Sequence, residues 1–285
     1  MKFSYFSIAF VLLFSCKNEE RNRKEKTETR FVVQEEFQEI LDATKLGGAV
    51  LVYNLNKDSY YSNDFEWCTK GNLPASTFKI PNSIIALETG VVKNDSTIFK
   101  WNGESRYLKV WEQDLTLQQA FQYSCVPCYQ EVARKIGVER MKTSLAELNF
   151  GSMDVHEANL DNFWLQGKSK ISQLEQIDFL KRLYTSELPI SKRTDSIIKK
   201  MMVLSKNNAY VLRGKTGWSI RGNENNGWFV GYVSVKNNVY FFATNIIPLE
   251  DFNMKFFNKE RKEVTFKALD ILKILGDKKS FVTKH

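Results

Sequence analysis

The chain has 285 residues, of which 43% are hydrophobic and 13% aromatic, enough for one large globular domain or two subdomains that share a core. Its formal net charge is +8 at pH 7, but the lysines and arginines are dispersed and no basic motif with interleaved aromatics appears, which argues against a nucleic-acid partner. Only two histidines are present, His156 and His285. A His-rich zinc site therefore cannot be built, and an acyl-transfer enzyme of this sequence should use a base other than histidine.

The first residues have the pattern of an export signal. Lys2 is followed by an apolar run from Phe3 to Phe14, too short to span a membrane, and then by Ser15 and Cys16. The end of this run resembles a bacterial lipobox, in which the cysteine becomes lipidated. Ordinary cleavage and a soluble periplasmic protein are the alternative.

We expect three segments. Residues 1–16 are predicted to be the signal, and residues 17–30, charged and mixed in sign, a flexible tether. Residues 31–285 are predicted to fold, with a helical part over about 77–208. The chain would then meet a membrane only through a lipid on Cys16.

The spacing of apolar residues and turn signals predicts strands near both chain ends and helices between them. We expect a helix over 31–46, ended by the glycine pair 47–48, and then a hairpin of strands over 48–55 and 60–61. Further helices are predicted over 80–87 and, approximately, over 116–123, 127–136, 138–148, 172–184, 191–205 and 259–275. Late strands are predicted over 209–213, 228–235 and 239–246. This order implies an α+β fold in which the first and last strands share one sheet.

Ser76 and Lys79 form a Ser-x-x-Lys pair at the start of the helix predicted over 80–87. Residues three apart on a helix lie on one face, so the lysine should stand beside the serine. A serine hydroxyl needs a neighbouring base to become a nucleophile, and a lysine serves only when it is neutral or modified, which burial in apolar surroundings favours. The alternative is a helix N-cap serine followed by a solvated lysine.

A second motif, Lys215-Thr216-Gly217, follows the strand predicted over 209–213. Lys215 offers a positive charge to a substrate carboxylate, and Thr216 offers a hydroxyl donor. Gly217 lets the strand backbone approach a ligand closely, and the N–H after it can stabilise a tetrahedral oxyanion. Each motif alone is weak, but Ser-x-x-Lys followed by Lys-Thr-Gly is the pairing of penicillin-recognising serine acyl enzymes.

The sequence resembles the class D (oxacillinase-type) serine β-lactamases from about residue 48 onward. The matching segments are Leu73–Asn82, Leu87–Gly90, Asp114–Leu117, Asp161–Leu165, Lys215–Trp218 and Gly227–Tyr232. The resemblance implies an antiparallel sheet from both chain ends with an all-helical subdomain inserted, and hydrolysis of penicillins and oxacillin-type β-lactams. It implies no metal and no cofactor beyond carbon dioxide or bicarbonate, a small-molecule substrate, and a periplasmic or outer-membrane place in a Gram-negative bacterium. The assembly would be a monomer or homodimer.

The resemblance also implies a role for each catalytic residue. Ser76 would be acylated, Lys79 would be carbamylated by carbon dioxide to become the general base, and Ser124 would relay a proton to the leaving nitrogen. Lys215 would join Ser124 in the catalytic set. Trp164 would donate its indole N–H to the carbamate.

The remaining implied roles concern the pocket and the substrate. Val126, with Phe78, Trp164 and Leu165, would line the carbamate pocket. Thr216, Gly217 and Trp218 would bind substrate, with the backbone N–H groups of Ser76 and Trp218 as the oxyanion hole. Arg261 would be a second anchor for the substrate carboxylate.

Two stretches depart from the family pattern. Phe150-Gly151-Ser152 stands where the family usually has Tyr-Gly-Asn, which we expect to affect stability or substrate range. Cys125-Val126-Pro127-Cys128 looks like a redox motif, but no thioredoxin-like pattern surrounds it, so a local disulfide or two buried thiols is the better interpretation.

Two other functions compete with turnover of β-lactams. A penicillin-binding or sensing protein would be acylated and stay so, although such peptidases typically carry Ser-x-Asn where this chain has Ser124-Cys125-Val126. A silent lipoprotein would only bind peptidoglycan or a partner, but it would not need Ser76, Lys79, Ser124 and Lys215 together. The substrate range should depend on loops expected near 102–112 and 218–227.

Overall fold

The computed structural model describes residues 29–275, and strands from both ends of this range form one seven-stranded sheet. The strands of the chain are β1 (Arg30–Val33), β2 (Leu46–Asn54), β3 (Ser59–Ser62), β4 (Ile98–Phe99), β5 (Leu115–Thr116), β6 (Val203–Lys206), β7 (Tyr210–Arg221), β8 (Glu224–Val235) and β9 (Asn238–Pro248). The sheet order is β1-β3-β2-β9-β8-β7-β6, while β4 and β5 pair separately. The pairs are antiparallel except β1 with β3.

The helices fall mostly between the early and the late strands. They are α1 (Glu35–Ala43), α2 (Phe65–Thr69), α3 (Lys79–Glu88), α4 (Leu117–Gln122), α5 (Val126–Ile136), α6 (Val138–Leu148), α7 (Gln173–Tyr184), α8 (Lys192–Met201) and α9 (Phe257–Ile271). Helices α1 and α9 cover one face of the sheet, and α7 packs on β9 from the other. The predicted α+β fold with an inserted helical part is confirmed.

Strand β2 shows how the sheet carries two cores. Its side chains alternate between faces, as the two-residue period of a strand requires. Ala49, Leu51 and Tyr53 join the large core shared with the helical part, whereas Val50 and Val52 join the smaller core under α1 and α9. Burial on both faces fixes the register of the strand, because a slip by one residue would exchange the two sets.

The N-terminal prediction needs correction. Residues 30–33 were expected to end the tether and begin a helix, but they form β1, an edge strand paired with β3. The helix ends at Ala43, not at the glycine pair, because Lys45 takes a left-handed conformation with φ of 55° and reverses the chain early. The glycines lie inside β2, where a Cβ at Gly48 would be 2.2 Å from the Asn245 carbonyl oxygen.

The late strands also differ from the prediction. The helix expected over 191–205 stops at Met201, and residues 203–206 form the edge strand β6. Strand β7 is longer than predicted, so Lys215 lies in its middle rather than at its end. The loop expected near 218–227 is two paired strands joined by a tight turn at Gly222, whose φ is 59°.

Residues 1–28, with the predicted signal, Cys16 and most of the tether, and residues 276–285 lie outside the described range. Within residues 29–275, no helix is long and apolar enough to cross a bilayer. In the same range, no three His, Cys, Asp or Glu side chains converge in a way that could hold a metal ion.

Candidate active site

Ser76 lies on a 3-10 turn, Ala75–Phe78, that runs directly into α3. The turn is held from two sides, since the Ala75 N–H donates to the Trp164 carbonyl (2.8 Å) and the Thr77 hydroxyl donates to the Pro74 carbonyl (2.7 Å). Ala75 has a φ of 50°, a conformation that costs a non-glycine residue energy and persists only when its surroundings impose it. The turn is thus a fixed platform for the serine.

Lys79 stands beside the serine as the spacing predicts, and its Nζ donates to Ser76 Oγ at 2.9 Å. The lysine is fully buried, and its ammonium lies 5.0 Å from the centroid of the Tyr129 ring. Burial lowers the pKa of Lys79 to about 7, because the charged form loses its hydration. The amine is therefore available in its neutral form near physiological pH, as a base for Ser76 or a nucleophile toward carbon dioxide requires.

The walls around this pair are aromatic and apolar. Phe78 stacks on the buried Trp164 with centroids 5.3 Å apart, while Val126 and Leu165 are half-buried against the same core. Among the residues that the structure describes, none accepts a hydrogen bond from Trp164 Nε1, although this atom is buried. An unpartnered buried donor costs about 1–3 kcal/mol, so the pocket fits an additional acceptor.

Ser124 joins the site at the corner between α4 and α5. Its φ of 53° is left-handed, and its hydroxyl accepts a hydrogen bond from Lys215 Nζ, which also donates to the Thr216 carbonyl at 3.0 Å. The two side chains come from residues 91 positions apart, so only the packing of the helical part on the sheet brings them together. The arrangement gives a proton path between a lysine and a serine.

Strand β7 passes close to the nucleophile turn. A Cβ at Gly217 would lie 3.1 Å from the Pro74 carbonyl oxygen and 3.2 Å from Ala75 Cβ, so glycine permits the approach that the motif predicted. Thr216 is half-buried beside it. Trp218 is also half-buried, with its Nε1 bound to Asn225 Oδ1 at 2.9 Å.

Arg261 reaches the same strand from α9. Its Nη1 donates to the Gly217 carbonyl at 2.5 Å, its Nη2 donates to Asn258 Oδ1, and its guanidinium lies 5.6 Å from the Trp218 ring centroid. The side chain is buried, which lowers its pKa to about 10 and leaves it charged at neutral pH. The structure thus places the predicted second cation beside the Lys-Thr-Gly strand.

The site concentrates positive charge in a buried region. Burial first, and then the charges of Lys79 and Arg261, hold the pKa of Lys215 well below its ordinary value. Among residues 29–275, no carboxylate forms an ion pair within 4 Å of these three basic side chains. An anionic substrate group would relieve the repulsion among them.

Sequence reasoning missed three residues near the pair. Tyr129 covers the Lys79 ammonium and binds Ser83 through its hydroxyl at 2.7 Å, and Gln176 donates to the Thr77 hydroxyl at 2.9 Å. Asn82 is buried, and neither polar atom of its amide has a hydrogen-bond partner in the described range. The available signal was spacing, since Asn82 is three residues after Lys79 on α3 and Tyr129 is three after Val126 on α5.

The departures from the family pattern have structural outcomes. Cys125 and Cys128 form a disulfide, which decides between the two alternatives left open, and Cys68 is a buried free thiol. Phe150 is buried against Phe179 with centroids 4.8 Å apart, so this position contributes to the core. His156 is exposed, as expected of a loop residue without a catalytic part.

Comparisons with known proteins agree on the family. The family described as penicillin binding protein transpeptidase domain matches residues 43–267. β-Lactamase OXA-48 of Klebsiella pneumoniae is 44% identical over 208 residues, 73% of this chain and 78% of that protein. β-Lactamase OXA-10 of Pseudomonas aeruginosa is 39% identical over 241 residues, 82% of this chain and 87% of that protein. A crystal structure of a class D β-lactamase from Sebaldella termitidis superposes with a TM-score of 0.83 at 40% identity and covers 87% of this chain and 100% of that one. This chain is a member of the class D β-lactamase family.

Proposed function

We propose that this protein hydrolyses β-lactam antibiotics through an acyl-enzyme on Ser76. The observation that carries the proposal is the buried pair in which Lys79 Nζ lies 2.9 Å from Ser76 Oγ with a pKa lowered to about 7. A neutral amine beside a serine is a general base, and the family membership supports the substrate class.

The substrate carboxylate is bound first. Lys215, Thr216 and Arg261 supply two positive charges and a hydroxyl along one strand and the helix beside it, without an acidic partner within the described residues. Binding orients the lactam carbonyl over Ser76, with the backbone N–H groups of Ser76 and Trp218 as donors to the oxyanion. One such donor is typically worth about 3 kcal/mol in the transition state.

Acylation then follows from the two proton paths. Ser76 Oγ loses its proton toward Lys79 and attacks the carbonyl carbon, the lactam C–N bond breaks, and the nitrogen takes a proton from the Ser124 hydroxyl, which Lys215 replenishes. Proton exchange with solvent then returns Lys79 to its neutral form and Lys215 to its charged form. In hydrolysis Lys79 takes a proton from a water, the resulting hydroxide attacks the acyl carbon, and Ser76 Oγ leaves with the proton from Lys79, which releases the product acid and restores the hydroxyl.

The site also fits carbon dioxide as an activator. A carbamate on Lys79 would supply a carboxylate base in the pocket. The neutral amine supports its formation, and the buried Trp164 N–H, which has no acceptor in the described range, would hold it. Val126 and Phe78 would keep bulk water away.

Turnover of a chromogenic cephalosporin by the purified protein, with and without bicarbonate, tests the proposal. We expect many turnovers per enzyme, a rise with bicarbonate, and loss of turnover in Ser76→Ala and Lys79→Ala. One stoichiometric burst without further turnover would assign the chain to the penicillin-binding or sensing function instead.

The proposal extends to export. Residues 1–16 would direct the chain across the inner membrane, Cys16 would carry the lipid, and residues 17–28 would join the anchor to the catalytic domain. Cell fractionation checks this, since Cys16→Ala should move the protein from the membrane fraction to the soluble periplasm. If the native protein and Cys16→Ala both appear in the soluble periplasmic fraction, the chain is cleaved without lipidation.

A further inference from the structure

A disulfide closes the corner that presents Ser124. Cys125 and Cys128 are bonded across the first turn of α5, with Cα atoms 5.4 Å apart. Cys125 is also the N-cap of this helix, and its Sγ accepts the Cys128 N–H at 3.3 Å. Its own N–H donates to the Ala120 carbonyl at 2.9 Å. The bridge therefore closes the first turn of α5, and the backbone hydrogen bond of Cys125 holds this turn against the end of α4.

Three residues of the site lie next to or inside this bridge. Ser124 precedes it in a left-handed conformation and accepts from Lys215. Val126 is enclosed by it and packs against the large core. Tyr129 follows it, and its ring lies 5.0 Å from Lys79 Nζ. A movement of the bridged turn would therefore displace Ser124 in the proton relay and Tyr129 against Lys79 at the same time.

We propose that the Cys125–Cys128 disulfide is a positioning element for Ser124 and Tyr129, and that its reduction to two thiols by a dithiol slows β-lactam turnover. The inference rests on the proposed β-lactamase activity. Neither cysteine touches the reacting atoms in this account, since both act through the residues beside them.

Because both cysteines are buried, the turn must adopt a different structure when the disulfide is reduced to two thiols. Bonded sulfur atoms are about 2 Å apart, whereas two unbonded atoms need about 3.5–4 Å. The two cysteines are only 1% and 9% exposed, so the thiols cannot separate into solvent without moving the turn. The left-handed φ of Ser124 persists only while its surroundings impose it, so this position can relax when the turn moves.

A cavity beside the bridge offers a route for the reductant. The cavity has a volume of about 290 Å³ and is lined by Cys125, Pro127 and Cys128, and its walls carry both basic (Arg106, Arg134) and acidic (Glu104, Glu131) side chains. The cavity thus lets a small dithiol approach the more exposed Cys128.

The exchange balances without any other reactant. A thiolate of the dithiol attacks Cys128 Sγ, the S–S bond breaks, and Cys125 leaves as a thiolate that takes up a proton. The second thiol of the reagent attacks the mixed disulfide and releases Cys128. The protein gains two electrons and two protons, and the reagent becomes a cyclic disulfide.

The test compares the oxidised and reduced forms of the purified protein with the variant Cys125→Ala/Cys128→Val. This variant cannot form the disulfide, and it has no pair of thiols to push the turn apart. Dithiothreitol is the reductant, and alkylation with mass analysis counts the thiols. We expect the kcat of the native protein to fall about tenfold on reduction and to recover on reoxidation, because a displacement of about 1 Å in a positioning group costs up to about 10²-fold. The kcat of the double variant should be the same with and without dithiothreitol.

Two readouts separate positioning from loss of structure. Positioning predicts a lower kcat with a similar KM, and a higher bicarbonate concentration at half-maximal rate, because the Tyr129 ring borders the lysine. A merely structural role would lower the melting temperature and the acylated fraction while leaving the bicarbonate dependence unchanged. Cys68→Ala is the matched control, and it should respond to dithiothreitol as the native protein does.

The inference is overturned if both cysteines become alkylatable while kcat and the bicarbonate dependence stay the same. It is also overturned if the double variant loses activity in dithiothreitol as the native protein does. Either result leaves the proposed function intact, whereas an oxidised native protein that never turns over a β-lactam refutes the function itself.

Discussion

Replacing Trp164 by Phe would test the assignment of Lys79 most directly. The ring of a phenylalanine can still stack on Phe78, but the Nε1–H group is lost, and this is the buried donor that finds no acceptor in the described part of the chain. If that donor holds a carbamate on Lys79, its removal costs a hydrogen bond to a charged group, about 1.5–3 kcal/mol. Each 1.4 kcal/mol is a factor of ten in affinity, so carbon dioxide should bind about 10–100-fold more weakly.

The assay is the rate of cephalosporin hydrolysis as a function of added bicarbonate. We expect Trp164→Phe to need about 10–100-fold more bicarbonate for half-maximal rate and to regain most of its kcat at saturation. With ¹³C-labelled bicarbonate, the carbamate resonance of the native protein should weaken in parallel.

Trp67→Phe provides the matched control. Its indole is half-buried and already donates to Asn245 Oδ1 at 3.0 Å, away from Lys79, so its loss should leave the bicarbonate dependence unchanged. Equal bicarbonate requirements in Trp164→Phe and the native protein would refute the reasoning, because the indole N–H would then contribute nothing to the lysine pocket.

Three further predictions follow from the same geometry. At constant dissolved carbon dioxide, turnover should rise roughly tenfold from about pH 6 to about pH 8, because the Lys79 amine, with its pKa near 7, loses its proton over this range; a flat profile contradicts the assignment. Arg261→Ala should raise KM about 10–100-fold for carboxylate-bearing β-lactams, with Arg261→Lys between, and an unchanged KM would remove this anchor. Gly217→Ala places a Cβ 3.1 Å from the Pro74 carbonyl oxygen, so it should lower kcat and cost about 1–3 kcal/mol in thermal unfolding, and the absence of both effects would contradict the close approach.

Sequence patterns correctly predicted elements whose ends are determined by neighbouring residues in the chain. The helix predicted over 172–184 is present as α7, and a capping box of Ser172 and Glu175 starts it. The boundaries failed where distant residues decide. Residues 30–33 became a strand because β3 offers a pairing edge, and α8 stopped at Met201 because β6 pairs with β7. The spacing of apolar residues within 30–33 or 203–206 does not show that a distant strand pairs with the segment.

The site divides in the same way. The contact of Ser76 with Lys79 follows from three-residue spacing on one helical turn, and the sequence alone predicts it. The contact of Ser124 with Lys215 depends on how the helical part docks on the sheet, and only the resemblance suggested it. The spacing of Tyr129 from Val126 places both on one face of α5, but it does not show that the Tyr129 ring meets a lysine across the core.

The burial that makes Lys79 useful also opposes folding. The unfolded chain keeps a proton on this amine up to about pH 10.5, whereas the folded protein releases it near pH 7, a difference that corresponds to roughly 5 kcal/mol against the charged form. Because the unfolded state binds more protons over this range, stability rises as pH increases from about 7 toward about 10.5, and the full penalty is present below about pH 7. Conversion of the amine to a hydrogen-bonded carbamate would remove that ammonium near neutral pH. Under the proposed function, the activator of the reaction would then also relieve a cost of burying the Lys79 ammonium, with the Trp164 N–H as the donor to the carbamate.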